Sequence, residues 1–233
     1  MNFSHWPPII YFTVHLLLLS IMAALVGDIA PVVVGIAGGT GSGKTTFARA
    51  IVNIVGKDNV TFISHDSYYK AINHLSEEER NARNFDHPDA LDTYLLVEHI
   101  KELKQNKAVC IPTYDFGTHC RVFDAKQDLF PQKVIIVEGI LIFADPDLVK
   151  LLDIKVFVDM SADVRILRRL KRDMAERNRP MDSVVAQYID TVRPMHDQFV
   201  EPSKLQADLI VPGVNNDVSA DLVACKIKQI CGI

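Results

Sequence analysis

No lysine or arginine precedes Lys44. A secretory leader opens on positive charge, and a membrane anchor takes its orientation from flanking cations; both cues are missing. Cysteine is scarce as well. Cys110, Cys120, Cys225 and Cys231 show no C-x-x-C spacing, which points to reduced thiols in a reducing compartment. A net charge of −4 gives no reason to expect nucleic-acid binding. No internal repeat or low-complexity tract interrupts the chain. At 233 residues it is long enough for one sizeable core, and one α/β domain with insertions is the expectation.

The apolar run PPIIYFTVHLLLLSIMAALVG, from Pro7 to Gly27, stands out against this background. Residues 9–27 approach the length of a bilayer span, although His15 inside them counts against one. Three readings stay open: a start at Met22, which would reach the first strand in a few residues, a membrane-associated tail, or an extra packed helix. Residues 1–30 are therefore set apart as an apolar extension, and 31–233 as the working domain.

The chain beyond this extension is far more specific. GIAGGTGSGKTTFA, directly after the stiff stretch PVVV, contains Gly38-x-x-x-x-Gly43-Lys44-Thr45, a full phosphate-binding loop. Glycines let backbone approach a phosphate and supply left-handed turns. Successive N–H groups then form an anion nest at a helix start. The loop residues Gly38, Gly39, Thr40, Gly41, Ser42, Gly43, Lys44, Thr45 and Thr46 are assigned to a nucleoside triphosphate. Lys44 is expected to reach the β- and γ-phosphates, and the Thr45 hydroxyl to ligate Mg²⁺.

Apolar spacing gives the rest of the skeleton. Strands are predicted at 32–36, 59–66, 133–143, the stretch IKVFVDM and ADLIVPG. Helices are predicted at 45–55, 163–177, 181–200 with an interruption at Pro194, and 220–230. Ser76 with Glu79 reads as a capping box for a short helix. ALDTYLLVEHIKELKQ is an amphipathic helix with Leu91, Leu95, Leu96, Ile100 and Leu103 on one face. The segment around Gly117 reads as a β-hairpin. Alternating strands and helices imply a parallel sheet flanked by helices, with ligands beyond the strands' carboxyl ends.

Three features there carry chemistry. Asp66, just past a strand, is either a turn aspartate or a base that takes the proton of an attacking hydroxyl. Glu138, at the tip of VIIVEG, is either a solvated strand end or an Mg²⁺ holder acting directly or through water. Arg165, Arg168, Arg169 and Arg172 form one helical stripe, extended by Arg177 and Arg179, while Val164, Leu167, Leu170 and Met174 lie nearer the opposite side. Either the stripe is a solvated face paired with Asp163, Asp173 and Glu176, or it is a lid that neutralises a transferred phosphoryl group and excludes water. Together the loop, the strand-end acid and the arginines indicate a phosphotransferase without naming its acceptor.

The acceptor comes from resemblance. NFDHPDALD, IPTYDFGTHCR, VEGIL and the stretch from RLKRDMAERNRPMD to ADLIVP closely resemble the uridine kinase (uridine-cytidine kinase) family in its bacterial form, from about Val32 to the C-terminus. The resemblance implies a P-loop NTPase-type fold with a hairpin insertion for the nucleoside and an arginine-rich helical lid. It implies transfer from ATP or GTP, with Mg²⁺, to the 5′-hydroxyl of uridine or cytidine in pyrimidine salvage. A homotetramer in the cytoplasm is implied too. On matching positions Asp66 looks like the catalytic base, with Lys44, Arg169 and Arg172 acting on the phosphates. Asp86 resembles the residue that holds the ribose hydroxyls, and Tyr114 and His119 those that contact the pyrimidine. Arg169, Arg179 and Gln187 resemble further substrate contacts. Thr45 and Glu138 form the expected metal pair. Two positions depart from the pattern: Asn178 stands where glycine is common, and VPGVNND lacks the basic residue or glycine pair often found after the last strand. A phosphoribulokinase would need a second phosphate site in the acceptor pocket, and a silent nucleotide-binding subunit would not need Asp66, Glu138 and the arginines.

Overall fold

A computed structural model describes residues 30–233 of the protein. The readings of residues 9–27 fall outside them. The run VVVGIA forms β1 (Val32–Ala37), buried along its whole length. Strand side chains alternate between faces, and this alternation builds two cores on one sheet. Val32, Val34 and Ile36 enter a core with Phe47, Ile51 and Ala224. Val33 and Ala37 enter another with Leu96, Ile100 and Phe143.

The first core is closed by α1 (Lys44–Val55), which carries Phe47, Ala48, Ile51 and Val55 on its buried stripe. β2 (Val60–Ser64) comes next, and then a single 3₁₀ turn, His65–Tyr68, which holds Asp66. The strand predicted at 59–66 is therefore shorter at both ends. α2 (Glu77–Asn81) starts at the expected capping box: Glu79 N–H donates to Ser76 Oγ at 3.3 Å, and Ser76 N–H to Glu79 Oε2 at 2.8 Å. α3 (Thr93–Lys104) buries Leu96, Val97, Ile100 and Leu103 in the second core.

β3 (Val109–Asp115) and β4 (Cys120–Leu129) pair antiparallel as a two-stranded sheet of their own, with a register shift between Ile111 and Thr113. β5 (Val134–Gly139) returns to the main sheet. After the short α4 (Pro146–Val149) come β6 (Ile154–Asp159) and α5 (Ala162–Glu176). α6 (Met181–Gln187) continues as helical chain to Ser203. β7 (Leu209–Pro212) and α7 (Asp217–Cys231) end the fold, and α7 packs with α1 over the first core.

The main sheet has the order β2-β5-β1-β6-β7 and every pair is parallel. Helices cover both faces, as an all-parallel sheet requires. The break expected at Pro194 is a widening instead. π-type turns at Tyr188–Val192 and His196–Val200 contain Asp190 and Gln198, each four residues before a proline (Pro194, Pro202). A wider turn moves the carbonyl that the proline ring would strike, so the helix bends past two prolines without ending. Among the described residues no helix is long and apolar enough to cross a membrane.

Candidate active site

The strands β1, β2 and β5 all end at one edge, and the phosphate-binding loop, Asp66 and Glu138 leave from it. Gly43 is the N-cap of α1 at φ 99°, with no side chain capping the helix and no acid in its first turn. The first amides of α1 are thus left for an outside acceptor. Gly41 sits at φ 75°, and a Cβ there would run into the backbone carbonyl of Arg165. Only glycine lets the loop lie this close to α5.

Lys44 is 8% exposed, and its side chain has neither hydrogen bond nor ion pair among the described residues. A buried ammonium without a partner is costly, which suits a site completed by an anionic ligand. Glu138 is 4% exposed; its Oε2 accepts from Thr45 Oγ1 at 3.1 Å and its Oε1 from Ser64 Oγ at 3.0 Å. Burial holds its carboxyl above the ordinary glutamate range, and Lys44 pulls the other way. Carboxylate and hydroxyl together are a hard, all-oxygen donor set, and no cluster of three or more His, Cys, Asp or Glu that could hold a metal occurs among the described residues. Such a set fits Mg²⁺, which takes few protein ligands and keeps water and phosphate oxygens.

One open cleft joins this edge to the hairpin. Its phosphate end presents Thr40, Lys44, Asp66, Arg169 and Arg172, and its far end Asp86, Tyr114, His119, Arg179 and Gln187. Every acceptor residue expected from the sequence therefore faces the same cavity as the loop lysine. Asp86 is 7% exposed, and its carboxylate takes no hydrogen bond from the described residues. Burial raises its carboxyl above the usual aspartate range, with Arg169 opposing. The aromatic wall is larger than Tyr114 and His119. Phe85 stacks on the His119 ring at 4.5 Å and 16°, and Tyr69 lies 4.9 Å from Tyr114. Phe116 meets Tyr114 edge-on and carries the Arg177 guanidinium 4.5 Å above its ring. Burial, then Arg179 and Arg177, push the His119 imidazole below its ordinary value, which keeps it neutral.

This wall is held from behind by Arg121. It donates to the Tyr69 carbonyl at 2.6 Å and the Tyr68 carbonyl at 3.2 Å, and pairs with Asp92 at 3.3 Å. The left-handed turn at His119 (φ 56°) turns the hairpin.

The arginine stripe divides in two. Arg165 and Arg168 are turned to the back of the phosphate loop. Arg165 donates to the Met160 carbonyl and to His196 Nε2, both at 3.0 Å. Arg168 Nη1 reaches the carbonyls of Gly41, Ser42 and Gly213 at 3.1–3.3 Å. Arg169 and Arg172 face the cleft. Arg169 donates to Thr40 Oγ1 at 3.3 Å and to Gln187 Oε1 at 2.8 Å, and Arg179 donates to the same Gln187 oxygen at 2.6 Å. Gln187 thus braces two arginines. Leu167 and Met174, on the apolar side, are 66% and 47% exposed, so α5 turns its charges inward. Asn178 takes φ 52°, the left-handed turn that glycine would supply.

Sequence reasoning missed Tyr69, Phe85, Phe116 and Arg177 as lining residues, although each lies within or beside a stretch it singled out. Asp173 was read only as a surface partner for the stripe; it is completely buried.

Comparison with known proteins gives a consistent picture. A family model described as "Phosphoribulokinase / Uridine kinase family" matches residues 33–219. A uridine kinase of Clostridium perfringens is 49% identical over 203 residues, covering 87% of this chain and 97% of that one. A uridine kinase of Chloroflexus aggregans is 51% identical over 199 residues, covering 85% and 95%. Among solved structures, phosphoribulokinase from Rhodobacter spheroides superposes with a TM-score of 0.59 at 12% identity, covering 78% of this chain and 70% of that one. D-glycerate 3-kinase from Cryptococcus neoformans gives 0.56 at 15% identity, covering 79% and 87%. At such identities these two speak for the fold alone.

Proposed function

The chain belongs to the phosphoribulokinase/uridine kinase family and is a nucleoside kinase, and we propose that it transfers the γ-phosphoryl group of ATP or GTP to the 5′-hydroxyl of uridine or cytidine, giving UMP or CMP. One observation carries the reading. A loop lysine, two unbonded carboxylates and an aromatic wall share one cleft, and the wall suits a flat base rather than a second phosphate.

The reaction forms a bond between the nucleoside 5′-oxygen and the γ-phosphorus and breaks the bond from that phosphorus to the β–γ bridging oxygen, releasing ADP or GDP. Asp66 orients the 5′-hydroxyl and accepts its proton as the new bond forms, then gives it to solvent. Lys44 and the amides at the head of α1 hold the β- and γ-phosphates. Thr45 and Glu138 would hold Mg²⁺, which when bound would offset the charge of the phosphates. Arg169 and Arg172 meet the charge on the phosphoryl group in flight. Asp86 accepts hydrogen bonds from the 2′- and 3′-hydroxyls of the ribose. The neutral His119 presents a ring donor or acceptor to the base edge, which accommodates both a 4-oxo and a 4-amino group. A homotetramer in the cytoplasm belongs to the same reading, and the exposed Leu205, Ile210, Val218 and Leu222 offer apolar surface for self-association.

The test is ADP release by the full chain with Mg²⁺ and ATP against uridine, cytidine, thymidine, adenosine and ribulose 5-phosphate. Turnover confined to uridine and cytidine is expected; turnover with ribulose 5-phosphate instead would overturn the assignment.

A further inference from the structure

Five cations line the cleft: Lys44, Arg169, Arg172, Arg177 and Arg179. Mutual repulsion would drive them apart or out to solvent, yet four of them surround one carboxylate. Asp173, 0% exposed, has Oδ1 at 2.8 Å from Arg172 and 3.5 Å from Arg177. Its Oδ2 lies 3.6 Å from Arg169 Nε and 3.9 Å from Arg179 Nη1. Arg179 N–H also donates to the Asp173 backbone carbonyl at 3.1 Å, closing the turn through Asn178.

The two oxygens are used unequally. Oδ1 accepts from Arg172 Nε at hydrogen-bond distance. Oδ2 is buried and takes no hydrogen bond, and Arg169 Nε opposite it is buried and gives none. Neither atom has a hydrogen-bond partner among the described residues, although Arg179 Nη1 stands 3.9 Å from Oδ2, and buried polar groups are rarely left so. The other donors of Arg169 point into the cleft, to Thr40 and Gln187, where a phosphate oxygen would compete for them. A turn of Arg169 that brought its Nε from 3.6 Å onto Oδ2 would close this bond once a phosphate drew on its other donors.

Stability alone does not account for this arrangement. A fully buried carboxylate with four arginines leaves several charges desolvated and uncompensated, and apolar packing would serve the fold better. We infer that Asp173 is a positioning residue for phosphoryl transfer: it is the buried counter-anion that holds Arg169, Arg172, Arg177 and Arg179 around the cleft and hands the first two to the triphosphate. Repulsion among these arginines agrees with it, since burial and neighbouring guanidinium groups hold Arg177 and Arg179 below the ordinary arginine value while Asp173 raises both.

The inference rests on the kinase reading but not on the identity of the acceptor, and the test separates the two. Asp173→Asn keeps the shape and removes the charge. Its kcat with uridine is expected to fall about 100-fold, the scale of a misplaced catalytic group. ADP, titrated calorimetrically with Mg²⁺, is expected to bind as tightly as to the wild type or more tightly, because the cleft gains net positive charge. A merely structural aspartate would lose affinity and turnover together. That outcome, or a kcat within threefold of wild type, overturns the inference. Should the variant not fold, a crystal structure of the wild type with Mg²⁺, the β,γ-imido analogue of ATP and uridine decides. Arg169 Nε is expected within about 3.2 Å of Asp173 Oδ2, and an unchanged separation there overturns the inference. A wild type that transfers to no nucleoside would instead sink the acceptor assignment and leave the ADP comparison standing.

Discussion

Asp66 and Asp86 are the same side chain put to different uses by their surroundings. Asp66 leaves a 3₁₀ turn at a strand end and stands half-buried in the cleft that Lys44 also lines, where the proposed reading brings the hydroxyl nucleophile. Its replacement by Asn should lower kcat by about 10²–10⁴, the usual contribution of a positioned base, while uridine binding stays nearly intact. Turnover above a third of wild type would remove Asp66 from that role. Asp86 is buried at the acceptor end with its oxygens unengaged. Asp86→Ala should raise KM for uridine far more than for 2′-deoxyuridine, since a carboxylate gains about 1.5–3 kcal/mol from each such hydrogen bond and the deoxy substrate has one fewer to lose. Equal effects on the two substrates would count against the ribose contact. Asp66 was legible from its motif alone as a two-way choice. Asp86 was legible only through resemblance, because nothing in the spacing of NFDHPD says that one carboxylate faces a cavity. Asp173 was legible as a partner of the arginines but not as a buried one: the charged residues around it suggest a wet surface, and only the inward turn of α5 reveals the burial.

That inward turn is the main lesson at the scale of elements. An amphipathic helix is ordinarily oriented by its apolar stripe. In α5 the contest goes the other way, because Arg165 and Arg168 satisfy backbone carbonyls of the phosphate loop and of the β6 and β7 ends that no apolar side chain could satisfy. Arg168→Met should leave those carbonyls without this donor and destabilise the protein by roughly 1–3 kcal/mol. KM for ATP should rise with it; a variant with wild-type KM and unfolding midpoint would show that the loop holds its shape unaided. β1 was read to within a residue, whereas the strands predicted at 59–66 and 133–143 overran β2 and β5, which end at Ser64 and Gly139. There the chain leaves the sheet through tight turns such as His65–Tyr68, and hydrophobicity does not report the change. The left-handed turn at Asn178 makes a smaller, sharper test. Asn178→Ala should cost about 1 kcal/mol and Asn178→Gly nothing, read as denaturant midpoints.

At the scale of the whole molecule, the parallel sheet and its order follow from the alternation of elements, and the two cores from the two faces of β1. Acid stability follows from what those cores enclose. His65 is buried between β5 and α3, its Nε2 3.1 Å from Thr93 Oγ1, and burial lowers its imidazole to about 4. Burial lowers His119 and His196 as well. The unfolded chain binds these protons first, so stability is full above about pH 6.5 and is lost as the pH falls towards 4. His65 alone accounts for about 3 kcal/mol across that window. Asp86 and Glu138 act oppositely: raised by burial, they favour the fold while protonated and oppose it once ionised. Urea midpoints at pH 7, 6 and 5 should therefore decline, and His65→Asn should flatten the decline. A decline equally steep in His65→Asn would show that His65 does not carry it.

The hairpin β3–β4 shares no strand pairing with the main sheet; Arg121 ties it to the Tyr68–Tyr69 turn, and Val109, Ile111 and Tyr114 pack it into the second core. The phosphate-binding loop and the aromatic wall thus lie on parts with separate hydrogen-bond ladders. On the proposed reading, a lineage could rework the wall that meets the acceptor while the loop that holds the phosphates stays as it was. One kinase chassis can in this way be refitted for new alcohols, with the exchange of a hairpin rather than the invention of a fold.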